Sequence, residues 1–401
     1  MKPKLHFYNP GHETAILRKG NYTPPRNVQK MITELAFLPI WYADKGDYVF
    51  IENKRRLPYW SELPEEIRPD VNVFSKGAFR LRAASFPEMV AAPWGLSLLS
   101  IEFYKDLMTR YKIKIDLPVW KDDYERLTGR QTGAACFQRI RELLPDLSLP
   151  SVPVFFSKTS DIEDWLHEQQ GGTSVIKTPF SSSGRGLLWL DENILTEEDK
   201  HWLKGALKKQ GSISIEPALN KMQDFALEFF IDEQGDVRYE GLSAFETSLR
   251  GAYRGNIMMP QERLEDVIFH PFGKELLERI KEVAKQAIRE TYAGYSGYIG
   301  IDMFTYKTAE GQIAIHPCVE VNMRYTIGMI AIRLFEQYIH PEAKGVFKIF
   351  YNKSPKASKM THIINKREHP LEFKDGKLRA GYLPLCPVVK TTYYTACIIM
   401  Q

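Results

Sequence analysis

The sequence predicts a mixed α/β protein of more than one domain, and three observations predict it. A short apolar strand at residues 5–8 runs into a turn-rich loop and then a helix-like segment, the opening of a small α/β domain. Two acidic strands follow one another late in the chain, residues 297–304 carrying Asp302 and residues 313–324 carrying Glu320 and Asn322. A chain of 401 residues is long enough for two or three cores.

Taken in order, the first strand ends in Asn9-Pro10-Gly11-His12-Glu13. Ligands of α/β domains favour such loops at the carboxyl ends of strands, so His12 and Glu13 could meet a substrate. Loop residues of this kind equally serve structure alone. The spacing predicts a helix over 28–37, strands at 40–41 and 48–51, and a core helix over 98–111 through Leu99, Phe103, Leu107 and Tyr111. Gly129-Arg130-Gln131-Thr132 opens a further helix, with Phe137, Ile140 and Leu144 on its apolar face, and Pro145, Pro150 and Pro153 end it. Ser160 and Glu163 read as the capping box of a short helix through Leu166, which Gly171-Gly172 closes.

Residues 174–189 read as strand, Ser/Gly loop, strand. A lysine inside a strand of Val and Ile, Lys177, must face something that compensates its charge. The loop Ser181-Ser182-Ser183-Gly184-Arg185-Gly186 offers small side chains and backbone N–H groups, the kind of nest that cradles phosphate oxygens. An exposed flexible hairpin has the same composition, and the spacing is neither that of a P-loop nor that of a Rossmann fingerprint. Residues 212–216 and 224–230 form the next two strands, with an acid, Glu216 or Asp224, at each end of their connection Pro217-Ala218-Leu219-Asn220. This pattern suits an adenine slot with a ribose-binding carboxylate, and suits an ordinary hairpin with polar ends as well. Residues 249–256 are a loop in which Arg250 and Arg254 are flanked by glycines; guanidinium forks suit carboxylate and phosphate, and solvated surface arginines are the alternative. Residues 274–292 form an amphipathic core helix closed by Gly294.

The final acidic stretch organises the rest. In residues 319–324, Val319, Val321 and Met323 alternate with Glu320, Asn322 and Arg324, which places the polar three on one strand face. A carboxylate, an amide oxygen and a guanidinium so spaced suit a hard cation beside a phosphate. An edge strand with a polar outer face is the alternative for this stretch alone. If it pairs antiparallel with 297–304, Asp302 comes beside Glu320 and Asn322, giving three oxygen ligands from two strands. Beyond residue 350, residues 352–359 read as a linker, 371–378 as a hairpin with an Asp-Gly turn, and 388–399 as a β-rich end.

Composition is ordinary, with 44% hydrophobic and 26% charged residues, and a net charge of +4 argues for neither nucleic acid nor a membrane surface. Cys136, Cys318, Cys386 and Cys397 have no metal spacing and are too sparse for a disulfide scaffold. The start lacks the apolar run of a signal peptide and no segment is long enough to span a bilayer, so the expectation is a cytoplasmic protein.

With Lys177, the Ser/Gly loop, Glu216, Asp302 and Glu320-Val321-Asn322-Met323-Arg324 in that order, the chain resembles the ATP-grasp superfamily over roughly residues 125–345. The resemblance implies two α+β lobes clasping ATP, here residues 125–350 with lobes of about 125–210 and 211–350. A Rossmann-like α/β domain at 1–124 would precede them, and a small β extension at 351–401 would follow. It also implies an ADP-forming ligase that joins a carboxylate to an amine or similar nucleophile through an acyl-phosphate. A small-molecule kinase on the same scaffold and a nucleotide-binding module without turnover are the alternatives. Residue by residue, Lys177 would reach the ATP phosphates and the adenine edge, and Ser182, Ser183, Gly184 and Gly186 would lie over the phosphates. Arg130 stands where the family often has an earlier lysine. Glu216, Pro217 and Leu219 would hold adenine and Asp224 the ribose hydroxyls. Asp302, Glu320 and Asn322 would bind Mg²⁺, with Mn²⁺ as the alternative ion. Arg324, with Arg250 or Arg254, would stabilise the charge on the transferred phosphoryl group and the intermediate. Met323 replaces the commoner proline. The partners implied are small-molecule carboxylate and amine substrates, with no nucleic acid and no membrane, and a homo-oligomer is compatible with all of this.

Overall fold

The computed structural model describes residues 2–19, 22–75, 77, 86–169, 171–181, 186–248 and 251–401. The chain divides into two compact units: Met1–Trp120 with Arg254–Leu264 and Arg324–Gln401, and Lys121–Tyr253 with Glu265–Met323.

Strands β1 (Lys4–Phe7), β2 (Tyr48–Ile51), β3 (Asn72–Ser75), β4 (Met89–Pro93) and β5 (Ile115–Asp116) form a sheet of order β3-β2-β1-β4-β5. All its pairings are parallel, so the strand order reverses between β1 and β4. The helix Leu98–Tyr111 packs on this sheet as its spacing requires. Its Tyr104 hydroxyl, fully buried, donates to the Leu5 carbonyl at 2.9 Å, and Ser97 and Ser100 cap its start reciprocally. Residues 40–41, expected as a strand, instead end a buried 3₁₀ turn, Leu38–Trp41. Pro39 favours helical entry there, and a fully buried Trp41 fits a turn as well as a strand.

The second unit opens with the short helix Asp123–Thr128 and the helix Arg130–Leu143, then a four-stranded sheet. Its strands are β6 (Val154–Phe156), β7 (Ser174–Lys177), β8 (Leu187–Leu190) and β9 (Ile213–Pro217), in the order β6-β9-β7-β8, all antiparallel. Helices Thr159–Glu168 and Glu197–Gln210 cover one face, where Ile162, Leu166 and Leu203 meet Ile176, Ile213 and Ile215. The capping box expected at Ser160 is not formed. The helix starts two residues earlier, at Thr159 with Lys158 as its cap, and the Ser160 hydroxyl donates to Asp161.

Two long strands, β10 (Asn220–Ile231) and β11 (Val237–Thr247), follow. Next is β12 (Tyr253–Met258), where a loop was expected; its residues from Arg254 onward lie in the first unit. The second unit closes with the helix Lys274–Thr291, whose Leu277, Ile280, Ala284 and Ile288 are buried, and the pair β13 (Gly297–Lys307) and β14 (Ile313–Asn322). Within this unit the order is β14-β13-β10-β11, antiparallel throughout. A register shift in the β13–β14 pairing lies between Asp302 and Phe304, opposite a stretch of β14 that contains Pro317. Proline has no N–H to give the ladder, and strands accommodate it at such irregularities.

The chain returns to the first unit through the helix Ile327–Tyr338, capped by Thr326, and strands β15 (Gly345–Tyr351), β16 (Glu372–Lys374), β17 (Lys377–Pro384) and β18 (Tyr394–Met400). These pair with β12 in the order β12-β15-β18-β17-β16. Trp41, Phe37, Leu334, Phe347, Leu385 and Ile398 share one core. The expected linker at 352–359 is mostly the first turns of a helix, Pro355–Glu368, capped by Ser354 and started by proline. The Asp375-Gly376 turn has positive φ at both residues, as a tight hairpin demands. Among the described residues no helix is long and apolar enough to cross a membrane.

Candidate active site

Lys177, the last residue of β7, is 7% exposed. Its ammonium is ion-paired with Glu216, near the end of the neighbouring strand β9, whose side chain is also largely buried. The compensation that a lysine among Val and Ile requires is thus a carboxylate on the next strand. Just past Lys177, Thr178 N donates to Gly186 O at 2.9 Å and closes the base of the Ser/Gly loop. A Cβ on Gly186 would sit 2.2 Å from Thr178 Oγ1 and 2.4 Å from Ser181 Cβ, so the two ends of the loop meet only because residue 186 is glycine. Ser182, Ser183 and Gly184 lie outside the described residues.

Arg130, at the start of its helix, links that loop base to the acidic strands. Its Nε donates to Thr178 O at 2.9 Å, and its Nη2 donates to Ser181 Oγ at 3.3 Å and to Glu320 Oε1 at 3.1 Å. Glu320 on β14 is the direct cross-strand partner of Asp302 on β13, and Asn322 lies opposite Gly300. Two carboxylates and an amide oxygen form a wholly oxygen donor set suited to Mg²⁺, whose remaining positions phosphate oxygens and water normally fill. Among the described residues no group of three or more His, Cys, Asp and Glu could hold a metal by itself. A cation here therefore depends on the amide and on the ligand's own oxygens.

Behind these acids the strand is apolar. His316 is 4% exposed, stacked on Phe137 with ring centroids 4.6 Å apart, and its Nδ1 accepts from Cys318 N at 3.4 Å. Burial, with the Lys177 charge adding to it, pushes its pKa down to about 3, so it is neutral. A hydrogen bond with Cys136 and burial together hold the Cys318 thiol well above its ordinary range, which makes it a packing residue and not a nucleophile.

Asp224, on β10 between Phe245 and Phe304, has its Oδ2 occupied. Lys221 Nζ lies 2.7 Å away and Thr247 Oγ1 donates to it at 2.7 Å. Lys221 and Thr247 were not among the residues singled out from sequence; the signal for Lys221 is its place three residues before the acid. Pro217, the last residue of β9, is exposed, and the Leu219 carbonyl accepts from Lys221 N at 2.8 Å.

Arg324 does not continue β14, which ends at Asn322; it lies in a bend two residues on, in the first unit. The expected single polar face through residue 324 therefore stops at Asn322. Arg324 Nε donates to Glu13 Oε1 at 2.8 Å, and Glu13 Oε2 lies 3.2 Å from His12 Nδ1. Arg254 is exposed on β12, and Arg250 lies outside the described residues.

No protein-family profile matches the chain, and no curated protein matches it in sequence. Solved structures do match. The chain is similar to a biotin carboxylase–β-γ-ATP complex from Campylobacter jejuni at 11% identity, with a TM-score of 0.52 over 99% of this chain and 87% of that one. It is similar to the biotin carboxylase domain dimer of a 2-oxoglutarate carboxylase from Hydrogenobacter thermophilus, in complex with MgADP, ADP and bicarbonate, at 12% identity and a TM-score of 0.51, over 100% and 87% of the two chains. It is also similar to N5-carboxyaminoimidazole synthetase from Staphylococcus aureus complexed with ADP, at 12% identity and a TM-score of 0.50, over 100% and 94%. This likeness shows the fold alone, an ATP-grasp fold with a parallel α/β sheet at its amino end.

Proposed function

We propose that the protein is an ATP-dependent, ADP-forming ligase that joins a carboxylate to an amine or similar nucleophile through an acyl-phosphate. The observation that carries this reading is the reach of Arg130. One guanidinium touches both the base of the Ser/Gly loop and Glu320, the partner of Asp302, so loop and acids converge on one cation. That is the requirement of phosphoryl transfer, in which positioning and charge stabilisation supply nearly all the catalysis. Crystallisation of the similar proteins with ADP or MgADP supports the nucleotide.

In this reading Lys177 and Arg130 bind phosphate oxygens, and Glu216 gives up its pairing with Lys177 as the nucleotide enters. Pro217 and Leu219 line the adenine, and Asp224 takes the ribose. Asp302, Glu320 and Asn322 hold Mg²⁺, which neutralises phosphate charge when bound. The substrate carboxylate attacks the γ-phosphorus, the β–γ bridging bond breaks, and ADP departs. The nucleophile then attacks the acyl carbon and phosphate leaves. Arg324 stabilises the charge that develops on the transferred phosphoryl group.

The test supplies MgATP and a small-molecule cell extract with hydroxylamine. A ligase yields ADP, free phosphate and a hydroxamate, and Arg324→Ala lowers hydroxamate formation by a factor of ~100 while ATP still binds. Release of ADP without phosphate, with a phosphorylated product indifferent to hydroxylamine, would identify a kinase instead.

A further inference from the structure

The site described above leaves unexplained a buried polar assembly in the first unit, at the carboxyl ends of β1 and β4. Strand order reverses between these two, and open α/β sheets place their ligands at such a point. The Asn9 side chain clamps the two loops together, its amide donating to Gly95 O at 2.7 Å and its oxygen accepting from Gly95 N at 3.3 Å. Beneath Gly95 lies His12, 3% exposed. A Cβ at residue 95 would fall 2.3 Å from His12 Cγ, so the imidazole fills the space that a side chain would need. His12 Nδ1 flanks one Glu13 oxygen, and the other accepts from Arg324 Nε. Arg324 Nη1 in turn donates to Tyr325 O at 3.2 Å, while Tyr325 N donates to Trp94 O at 3.0 Å, next to Gly95.

These contacts form a closed circuit: Gly95, His12, Glu13, Arg324, Tyr325, Trp94. Each member contacts the next, and Arg324 carries the cation among them. For stability alone the arrangement is a poor choice, because a largely enclosed ion pair spends much of its Coulomb energy on desolvation. What such a pair does provide is direction. A carboxylate on Nε fixes the plane of a guanidinium whose other nitrogens make further contacts.

We propose that Glu13, braced by His12, is a positioning residue for Arg324. This inference rests on the reading of Arg324 as the group that stabilises the transferred phosphoryl. Glu13 touches neither nucleotide nor substrate in this scheme; it sets the angle at which the guanidinium is presented. A misplacement of about 1 Å in such a group costs up to roughly 100-fold in rate.

The full-length chain is assayed for ADP release with MgATP and a small-molecule extract, beside MgATP affinity by calorimetry. Glu13→Gln keeps the length and loses the charge; it should lower kcat by about 10- to 100-fold with KM for MgATP within about twofold. Glu13→Asp keeps the charge and should recover part of the rate. In an Arg324→Lys background, Glu13→Gln should cost little more, because the group it positions has been replaced. A merely structural Glu13 would instead lower turnover by the same factor in both backgrounds, and that result overturns the inference. So does an active Glu13→Gln chain with wild-type kcat. A wild-type chain that binds no MgATP overturns the ligase reading itself, and this inference with it.

Discussion

Lys177 carries one burden in the structure, a buried charge that must be compensated, and a second on the proposed reading. Its ammonium is buried, so it needs a partner, and Glu216 supplies one. On the proposed reading, phosphate takes over that role when the nucleotide binds, and the carboxylate releases the cation. Lys177→Met therefore has two separable effects. It strands Glu216 in a largely buried place, which costs about 3 kcal/mol of stability as broken buried pairs do. On the proposed reading it also removes a phosphate contact, which should weaken MgATP binding about 100-fold. Adding Glu216→Gln should restore most of the melting temperature and none of the affinity. Calorimetry on the stable double variant separates the two effects; wild-type affinity there would remove Lys177 from the nucleotide site.

At the scale of elements, the sequence was most legible where burial is one-sided and regular. The helices at 98–111 and 274–291 and the strands at 48–51 and 174–177 stand where their periodicity puts them. It was least legible where tertiary packing decides. Leu38–Trp41 is apolar enough for a strand, yet it turns inside a core it shares with Leu334 and Leu385, residues hundreds of positions away. Residues 352–359 looked like a linker because they are polar, but a helix needs only a cap and one covered stripe, and Ser354 with Pro355 provides the start. In the candidate site, spacing could place acids on neighbouring strands. It could not show that Arg130 bridges to Glu320, or that Glu13 meets Arg324 across more than three hundred residues. Ser354 gives this scale its prediction. Its Oγ accepts from Ala357 N at 3.2 Å, and Ser354→Ala should cost ~1 kcal/mol. A drop of a few degrees in melting temperature with Ser354→Asp near wild type would be the expected pair of results. An unchanged Ser354→Ala would mean that packing, not the cap, fixes this helix start.

For the whole molecule, buried groups whose protonation differs between folded and unfolded chains set the acid limit of stability. Burial would raise the Glu13 carboxyl, but the neighbouring His12 and Arg324 outweigh it and hold it well below the usual carboxylate range. Asp47 follows the same pattern, burial opposed by the hydrogen bond and charge of His6 and by Lys4 N, with a net lowering. Stability from such carboxylates is fully present above their unfolded values near ~4 and is lost as pH falls through the lowered folded values. Histidines held neutral act earlier. Burial, reinforced by Lys177, holds His316 at about 3, and burial, reinforced by Lys366, lowers His362 as well. The unfolded chain protonates residue 316 from about pH 6.5 downward while the folded chain keeps it neutral to about pH 3, so stability falls with pH across that interval, and the lowered His362 adds in the same direction. One such proton is worth about 1.4 kcal/mol for each pH unit. Between about pH 6.5 and 4.5, then, His316 acts and the two carboxylates do not. His316→Gln keeps an acceptor for Cys318 N and should flatten the pH dependence of the urea midpoint in that interval. Glu13→Gln should leave the slope there as it is and flatten it only below about pH 4.5. If the His316→Gln slope between pH 6 and 5 matched the wild type, a buried neutral imidazole at residue 316 would not be what limits the protein in mild acid.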